Sequence, residues 1–285
     1  MRFNRYNDIA AFGTDVTSIL LENEVQNNLL LSMIDRGENQ YAARFAADWF
    51  LASVSGADGS AALIAVYAEP FPLLLYETGN ADSGDAVEIL AREMKKAGRR
   101  PPGAMAMGDL ARRFTEAMIP GAGRLHMATA AMRLDKIEPC ANAPGFCRTL
   151  DSGDISLVKY WEREFSVDCR SHVFTIPEYT ERLKKRLGKN THYIWEDSAP
   201  VSQAVHGRDT PNGAVVNGVY TPPRYRGRGY ATSVVAALSA ALLAGGKSFC
   251  CLFADADNPV SRGIYRKLGY RDVCVLEDIR FDIRP

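Results

Sequence analysis

Apolar residues in the second half of the chain follow helical spacing first and strand spacing afterwards. Ile155, Val158, Trp161 and Phe165 recur every three or four positions, which predicts a helix with one buried face. The sequence Thr175-Ile-Pro-Glu178 predicts the start of a second helix, because it is a capping box with proline in the first turn. Two or three strands are predicted next, at residues 192–196, 201–206 and 214–220.

The alternation continues to the C-terminus. A helix is predicted to begin at Gly229 and to end at Gly245, since glycine is common just after the last helical residue. The nearly all-apolar stretch 249–253 is typical of a strand inside a sheet that is covered on both faces. A last helix is predicted at 260–268, and residues 270–281 are predicted to form a pair of strands or one long bent strand. The pattern predicts an α/β fold, with helices on both faces of a mixed central sheet.

The first half of the chain shows a similar order of elements. It reads as helix, two strands, helix, strand, helix and strand, at residues 17–34, 42–54, 61–76, 85–97, 104–107, 110–118 and 125–134. No residue-level repeat accompanies this order. We predict an N-terminal α/β domain at residues 1–138 that is a degenerate repeat of a second domain at residues 146–285. Residues 139–145 are predicted to be a linker, because they contain two prolines and a glycine.

Composition and charge limit the possible partners. The 285 residues are 47% hydrophobic and 24% charged, as in a globular protein. Lys plus Arg (34) equals Asp plus Glu (34), so no overall field attracts nucleic acid or an acidic membrane. No apolar run is long enough to span a bilayer, and the N-terminus lacks a signal-peptide core. We therefore expect a cytoplasmic protein without nucleic-acid or membrane partners; the sequence leaves its oligomeric state open.

The six cysteines and four histidines do not form a recognisable metal or disulfide pattern. The cysteines lack C-x-x-C spacing and the histidines are scattered along the chain. Cys250 and Cys251 lie in an apolar run, where cysteine usually behaves as a small buried hydrophobe rather than a catalytic thiol. We predict neither a structural zinc site nor a disulfide framework.

The segment 219–232 contains the strongest candidate for a binding site. It reads as the end of a strand, a turn stiffened by two prolines, and a glycine-rich start of a helix. A helix start presents unpaired backbone N–H groups and a positive dipole end, which suit an anion such as pyrophosphate. Gly227 and Gly229 allow a phosphate to approach the backbone closely. Positive charge is added by Arg224, Arg226 and Arg228.

Two familiar phosphate motifs do not fit this segment. A Walker loop requires a lysine after the glycines, and the dinucleotide fingerprint requires glycine where Thr232 stands. Taken alone, the glycines are equally compatible with an ordinary turn carrying solvated arginines.

Two motifs together resemble a known family. Arg224-x-x-Gly227-x-Gly229 after a strand resembles the acetyl-CoA pyrophosphate motif of the GNAT superfamily of N-acetyltransferases. Downstream, Asn258-Pro-x-Ser261-x-x-Ile-Tyr265-x-x-Leu-Gly269-Tyr270 resembles that superfamily's next motif. The resemblance covers residues 146–285 and implies the GNAT fold. The combination Tyr-Thr-Pro-Pro and Arg-Gly-Arg-Gly-Tyr-Ala looks most like the glycine N-acyltransferase-like branch.

The resemblance implies a cofactor site and a catalytic residue. The backbone of Asn217, Gly218 and Val219 should pair with the pantetheine arm of acetyl-CoA, in a slot where the fourth and fifth strands part. Tyr265 occupies the position of the general acid, which protonates the departing thiolate; a tyrosine merely packing its ring in the core is the alternative. The remaining cofactor-binding positions are Arg224, Tyr225, Arg226, Gly227, Arg228, Gly229, Tyr230 and Asn258, the backbone amides of 225–230 holding the pyrophosphate. Asn258, or Asp257 beside it, has an alternative role as a helix cap.

The general base is not identified by the sequence. Several members of the superfamily place a glutamate on the fourth strand, where this chain has Gly213. Glu196 and Glu164 are conceivable substitutes, although a solvated surface charge is the preferred interpretation of each, and a water chain is a further alternative.

We expect an N-acetyltransferase that moves an acetyl group from acetyl-CoA to a primary amine by direct attack, without a metal. A tetrahedral oxyanion would form near the fourth-strand amides. Acceptors of such enzymes include small amines, amino acids and peptides. The alternative is a non-catalytic acyl-CoA-binding sensor or regulatory module. A nucleotide-binding interaction protein would fit the glycine loop but leave the second motif unexplained.

Overall fold

A computed structural model describes residues 1–39, 48–79 and 84–282. The chain divides into two compact units, one formed by residues 1–131 with 273–285 and the other by residues 132–272. The two are described separately, as unit 1 and unit 2.

Unit 1 is a sheet with helices packed against it. In chain order its elements are β1 (Arg2–Tyr6), α1 (Ile9–Leu21), α2 (Asn28–Asn39), β2 (Phe50–Ser55), β3 (Ala61–Tyr67), β4 (Leu73–Glu77), α3 (Gly84–Lys96), β5 (Gly103–Met107), α4 (Leu110–Met118) and β6 (Gly123–Leu134). The last strand of the chain, β12 (Arg271–Phe281), joins this sheet, whose strand order is β1-β2-β3-β4-β5-β12-β6. Neighbours from β1 to β4 are antiparallel, and β4 runs parallel to β5.

The predicted helix at 17–34 is wrong, because two helices occupy this region. The first begins earlier, where the Asp8 carboxylate accepts hydrogen bonds from the N–H groups of Ala10 and Ala11 and caps α1. At the break between the helices, the buried side-chain amide of Asn27 donates to the Leu20 carbonyl in the last turn of α1, and that of Asn28 donates to the Val25 carbonyl in the intervening turn. These side chains provide hydrogen bonds for backbone carbonyl groups where the helix is interrupted. The spacing of apolar residues alone does not reveal this interruption.

The strand predictions for unit 1 hold in part. The predicted strand at 61–76 is wrong, because a turn after Tyr67 divides it into β3 and β4. The strand predicted at 42–54 begins at Phe50, and its first part lies outside the described residues. Strand β1 was not predicted. The remaining helices and strands of this half are confirmed within two residues at their ends.

Unit 2 contains the elements that the sequence pattern predicts, with one additional strand. They are β7 (Phe146–Thr149), α5 (Ile155–Asp168), α6 (Ile176–Lys184), β8 (His192–Glu196), β9 (Pro200–Asp209), β10 (Gly213–Tyr220), α7 (Tyr230–Ala244), β11 (Phe249–Asp255) and α8 (Pro259–Lys267). The sheet order is β11-β10-β9-β8-β7, and β7 is the unpredicted strand. The predicted capping box is present, since Thr175 and Glu178 each bond the other's backbone N–H. Residues 271–281 form one long strand rather than a pair.

The two halves of the chain repeat the same order of elements. In each, a strand and two helices precede three antiparallel strands, a helix, a parallel strand and another helix. The parallel pairs are β4 with β5 and β10 with β11. The predicted α/β class is therefore confirmed, and the N-terminal half repeats the topology of the C-terminal half.

The predicted linker lies within unit 2 and packs against it. The N–H of Ala143 donates to Ser233 Oγ at 2.8 Å, and Trp195 Nε1 donates to the Pro144 carbonyl at 2.8 Å. The predicted domain boundaries stay a prediction.

Several groups considered for chemistry are structural. Cys250 and Cys251 are buried in β11, and burial raises the pKa of the Cys250 thiol to about 11. Within the described ranges, no three side chains among His, Cys, Asp and Glu gather into a set suited to hold a metal ion. The helices in those same ranges include none with the length and apolarity needed to cross a bilayer.

Candidate active site

Strands β10 and β11 of unit 2 part after a short paired stretch. They pair in parallel at Gly213 with Phe249, and at the two positions that follow, ending at Val215 with Cys251. Beyond this point β10 continues to Tyr220 and β11 to Asp255 without pairing with each other. The backbone of β10 at residues 217–219 therefore lies along an edge that β11 does not cover, as the predicted pantetheine slot requires.

On its other side β10 carries a bulge. Asn217 lies opposite Val205, whereas Tyr220 lies opposite Gln203, so β10 has one residue more than β9 across this stretch. Gly218, inside the bulge, has φ of +59°, and a Cβ there would lie 2.9 Å from Val205 Cγ2. Both observations explain why glycine stands at this position.

The turn after β10 offers a run of unpaired backbone donors. A short 3-10 turn uses the N–H groups of Tyr225 and Arg226, which donate to the carbonyls of Pro222 and Pro223. The next six N–H groups, at residues 227–232, donate to no residue in the described part of the chain. Helix α7 begins here without a side-chain cap on its N-terminal N–H groups. Successive free N–H groups at a helix start, with Gly227 and Gly229 left-handed (φ of +78° and +82°), form a concavity of the kind that suits an anion.

The arginines around this concavity differ in their contacts with the rest of the protein. Arg226 is tied to the protein, since Nε donates to the Thr221 carbonyl at 2.9 Å and the guanidinium pairs with Asp168 at 3.2 Å. Arg224 is exposed and stacks at 4.7 Å on the ring of Tyr225. Arg224 is thus better placed than Arg226 to contact a bound anion.

Tyr230 and Arg228 lie at the start of α7. The Tyr230 hydroxyl donates to Asp197 Oδ2 at 2.5 Å, and this hydrogen bond raises the pKa of Tyr230. Arg228 is exposed and lies close enough to the same hydroxyl to oppose that shift. The Tyr230 ring therefore anchors the helix start to the β8–β9 turn, while its backbone N–H remains among the free donors.

The second motif meets the first at one edge of the sheet. Since β10 and β11 are parallel, α7 and α8 both begin at the carboxyl ends of these strands. Asn258 caps α8, because its Oδ1 accepts from the N–H groups of Val260 and Ser261 at 3.1 and 3.2 Å. The capping role considered for Asn258 is thus confirmed, and its contact with the cofactor stays a prediction.

Tyr265 has a packed ring and a free hydroxyl. Its residue is 7% exposed, and its ring packs edge-on against Tyr270 with centroids 5.9 Å apart. The hydroxyl makes no hydrogen bond to any residue that the structure describes. A buried phenol normally finds a partner, so this hydroxyl is available to a ligand. Burial, with a smaller effect from Cys169 at the end of α5, raises the pKa of Tyr265 and keeps it protonated.

The positions considered for a general base are blocked, paired or exposed. At Gly213 a Cβ would lie 2.3 Å from the Phe249 ring, so no side chain fits there. Glu196 pairs with Arg148 at 2.5 Å, and Glu164 is 48% exposed beside Arg163.

A buried ring of polar side chains lies beneath the β10 bulge and was missed at the sequence level. Arg186 donates to Glu162 Oε2 at 3.1 Å and lies 3.4 Å from His192 Nδ1. His192 Nε2 lies 3.3 Å from Gln203 Oε1, and Gln203 Nε2 donates to Glu162 Oε1 at 3.2 Å. Gln203 Nε2 also donates to the Gly218 carbonyl at 3.1 Å. The ring closes with every donor facing an acceptor if His192 is neutral and carries its proton on Nε2.

The stability of the protein should depend on the neutrality of His192. Burial lowers the pKa of His192 to about 4 from an ordinary value of 6.5. Between these values the unfolded chain binds a proton that the folded chain does not, so the free energy of unfolding falls as the pH falls from 6.5 to 4. The shift corresponds to about 3 kcal/mol.

Urea unfolding of the wild type and of His192→Gln at several pH values measures this contribution. The variant should lose most of the decline between pH 6.5 and 4, whereas His172→Gln, at an exposed histidine, should retain it. Equal pH slopes in the wild type and His192→Gln would contradict a buried neutral histidine.

Comparison with known proteins relates this site to a fold. Residues 198–279 match a family model described as FR47-like protein. No curated protein matches the chain in sequence. Among solved structures, a GNAT-family acetyltransferase from Colwellia psychrerythraea is 8% identical, with 98% of this chain and 100% of that chain covered and a TM-score of 0.61. A GCN5-related N-acetyltransferase from Sphaerobacter thermophilus is 14% identical, with 99% and 96% covered and a TM-score of 0.66.

A third similar structure is a tandem GNAT protein from the clavulanic acid biosynthesis pathway. It is 13% identical, with 98% of this chain and 97% of that chain covered and a TM-score of 0.56. These likenesses extend over nearly the whole chain, so the fold is that of GNAT acetyltransferases, and the resemblance drawn from the two motifs is confirmed. The glycine N-acyltransferase-like branch stays a prediction.

Proposed function

We propose that the chain is an N-acetyltransferase that transfers an acetyl group from acetyl-CoA to a primary amine. The observation that carries this proposal is the parting of β10 and β11 beside the free N–H groups of residues 227–232. An open strand edge next to an anion-binding concavity suits a ligand with a peptide-like arm attached to a pyrophosphate. Acetyl-CoA has both parts, whereas a mononucleotide lacks the arm. We retain a cytoplasmic location as part of this proposal.

In the proposed complex, different parts of unit 2 contact different parts of acetyl-CoA. The pyrophosphate accepts hydrogen bonds from the N–H groups of residues 227–230, with Arg224 and Arg228 adding positive charge. The pantetheine arm lies along the open edge of β10 at residues 217–219. The side-chain amide of Asn258, whose oxygen caps α8, contacts the arm where β11 ends. The N–H groups of Tyr225 and Arg226 are occupied within their own turn and contribute mainly to its shape.

The chemical step needs a proton donor for the departing thiolate. The neutral amine attacks the thioester carbonyl, and the carbon–sulfur bond breaks as the tetrahedral oxyanion collapses. Tyr265 donates a hydrogen bond or proton to the departing thiolate, and its raised pKa keeps the proton available throughout the neutral range. The amine proton passes to water, since no side chain fits at Gly213, Glu196 is paired with Arg148 and Glu164 is exposed beside Arg163.

An amine panel with acetyl-CoA tests the proposal. Release of the CoA thiol should accelerate in the presence of at least one member of a set of small amines, amino acids and peptides. Tight acetyl-CoA binding without amine-dependent release would instead indicate the non-catalytic module. Stronger competition by ATP than by CoA would contradict both.

We further propose that unit 1 binds no CoA. Its parallel strands β4 and β5 pair only at Leu73 with Ala104 and at Leu74 with Met105. At the point where they part, the space amounts to about 10 Å³ among side chains that include Asn27 and Leu30, room for about one water molecule. The turn at residues 77–84 contains acidic side chains, which would repel a phosphate, and it lies partly outside the described residues. Unit 1 would then have a structural or acceptor-shaping role.

Binding stoichiometry tests this assignment. Calorimetric titration with acetyl-CoA should give one site per chain. Two sites per chain, or a crystal soaked in acetyl-CoA with both halves occupied, would overturn it.

A further inference from the structure

The buried ring beneath the bulge is built from four separate elements. Glu162 comes from α5, Arg186 follows α6, His192 begins β8, and Gln203 lies in β9. Gln203 is fully buried, and Glu162 and His192 are 8% and 1% exposed. Burying a carboxylate, an imidazole and an amide beside a guanidinium that is 24% exposed is unfavourable unless the buried polar atoms are hydrogen-bonded. The ring meets this requirement, and its only described backbone contact with β10 is at the Gly218 carbonyl.

The contact at Gly218 falls where β10 is least supported by its neighbours. Pairing with β11 has ended at Val215, and the bulge interrupts the register with β9 between Asn217 and Tyr220. With φ of +59°, Gly218 also has conformations open to it that other residues lack. The hydrogen bond from Gln203 Nε2 therefore holds a segment that neither neighbouring strand fixes. In a trans peptide the C=O and N–H point in opposite directions, so holding the Gly218 carbonyl also sets the direction of the Val219 N–H.

We propose that Gln203 is a positioning residue for acyl-CoA, which holds the Gly218–Val219 peptide in the orientation that binds the pantetheine arm. Glu162 acts behind it, because its carboxylate accepts from the Gln203 amide and fixes which way that amide points. Arg186 and His192 complete the ring and prevent the Gln203 amide from rotating. This inference rests on the proposed function, since it assumes that the β10 edge binds acyl-CoA.

Two probes distinguish a positioning role from a general loss of structure. Acetyl-CoA contains the pantetheine arm, whereas adenosine 3′,5′-bisphosphate carries only the nucleotide end. In calorimetry on the full chain, Gln203→Leu should weaken acetyl-CoA binding about tenfold, because the peptide is released and its hydrogen bonds to the ligand are misaligned. Binding of the bisphosphate should change less than about twofold, since residues 227–232 do not depend on the ring.

Thr210→Val is the matched control. Thr210 is 4% exposed and accepts a hydrogen bond from the Gly213 N–H at 3.1 Å, at the far end of the same two strands. This variant loses a buried hydrogen bond without touching the bulge, so both affinities should remain those of the wild type.

Glu162→Gln provides a second test if Gln203→Leu does not fold. It retains a side chain of the same shape but loses the ion pair with Arg186, and acetyl-CoA binding should weaken about threefold with the bisphosphate unchanged. Wild-type acetyl-CoA affinity in the folded variants, or equal weakening of both probes, would overturn the positioning role while leaving the proposed function intact. Failure of the wild-type chain to bind acetyl-CoA would overturn the proposed function, and the inference with it.

Discussion

Tyr265→Phe is expected to lower kcat for acetyl transfer by about 10²-fold, the size of effect typical for a lost general acid. The Michaelis constant for acetyl-CoA should change little. The hydroxyl has no partner among the described residues, so its removal breaks no hydrogen bond in the resting protein. It should meet the sulfur only as negative charge develops there, which raises the barrier without weakening the ground-state complex.

Tyr270→Phe is the control for this experiment. Tyr270 packs on the Tyr265 ring and is also buried, but its hydroxyl is bonded to Ser239 Oγ at 2.9 Å. Loss of that hydroxyl should lower the free energy of unfolding by about 1 kcal/mol and leave kcat within about twofold. Near-normal kcat in Tyr265→Phe would refute the assignment, provided that single-turnover measurements show chemistry to be rate-limiting.

Gly227→Asp is expected to weaken CoA binding by at least an order of magnitude, because it places a carboxylate beside the pyrophosphate. A Cβ at this position meets no atom within 4 Å, so the new side chain does not clash. It does carry strain, since φ is +78°.

Gly227→Asn separates charge from strain. Asparagine has the same shape as aspartate and tolerates the left-handed region, so both variants share the backbone effect. Calorimetry should show Gly227→Asn binding CoA much more tightly than Gly227→Asp, with the difference shrinking as salt is added. Equal affinities for the two variants would contradict binding of the pyrophosphate at this loop.

Sequence reasoning found the parts of the site that depend on neighbours in the chain. The glycines at 227 and 229, the capping box at Thr175 and the apolar strand β11 are local signals, and each appears in the structure as predicted. Helix α1 also begins at a local signal, the Asp8 cap. The apolar spacing alone predicts a later start.

The ring beneath the bulge could not be derived in this way. Glu162 lies on the same helix as the apolar residues Val158 and Trp161, and Gln203 interrupts an apolar strand, so each looks like an isolated exception. Their role follows from the hydrogen bond between them. The two residues are 41 positions apart, and only the packing of α5 on the sheet brings them together. The same holds for Gly213, whose lack of a side chain is explained by the ring of Phe249 on the neighbouring strand.

The most direct test of the account is the distance from the CoA sulfur to the Tyr265 hydroxyl in a crystal grown with acetyl-CoA or CoA. We predict that the pantetheine arm lies between β10 and β11 beyond Val215, with the pyrophosphate on the N–H groups of residues 227–230. The sulfur should then lie within hydrogen-bond reach of the hydroxyl, about 3.5 Å. A cofactor bound elsewhere, or a sulfur too far from Tyr265 for any hydrogen bond, would contradict the proposed site.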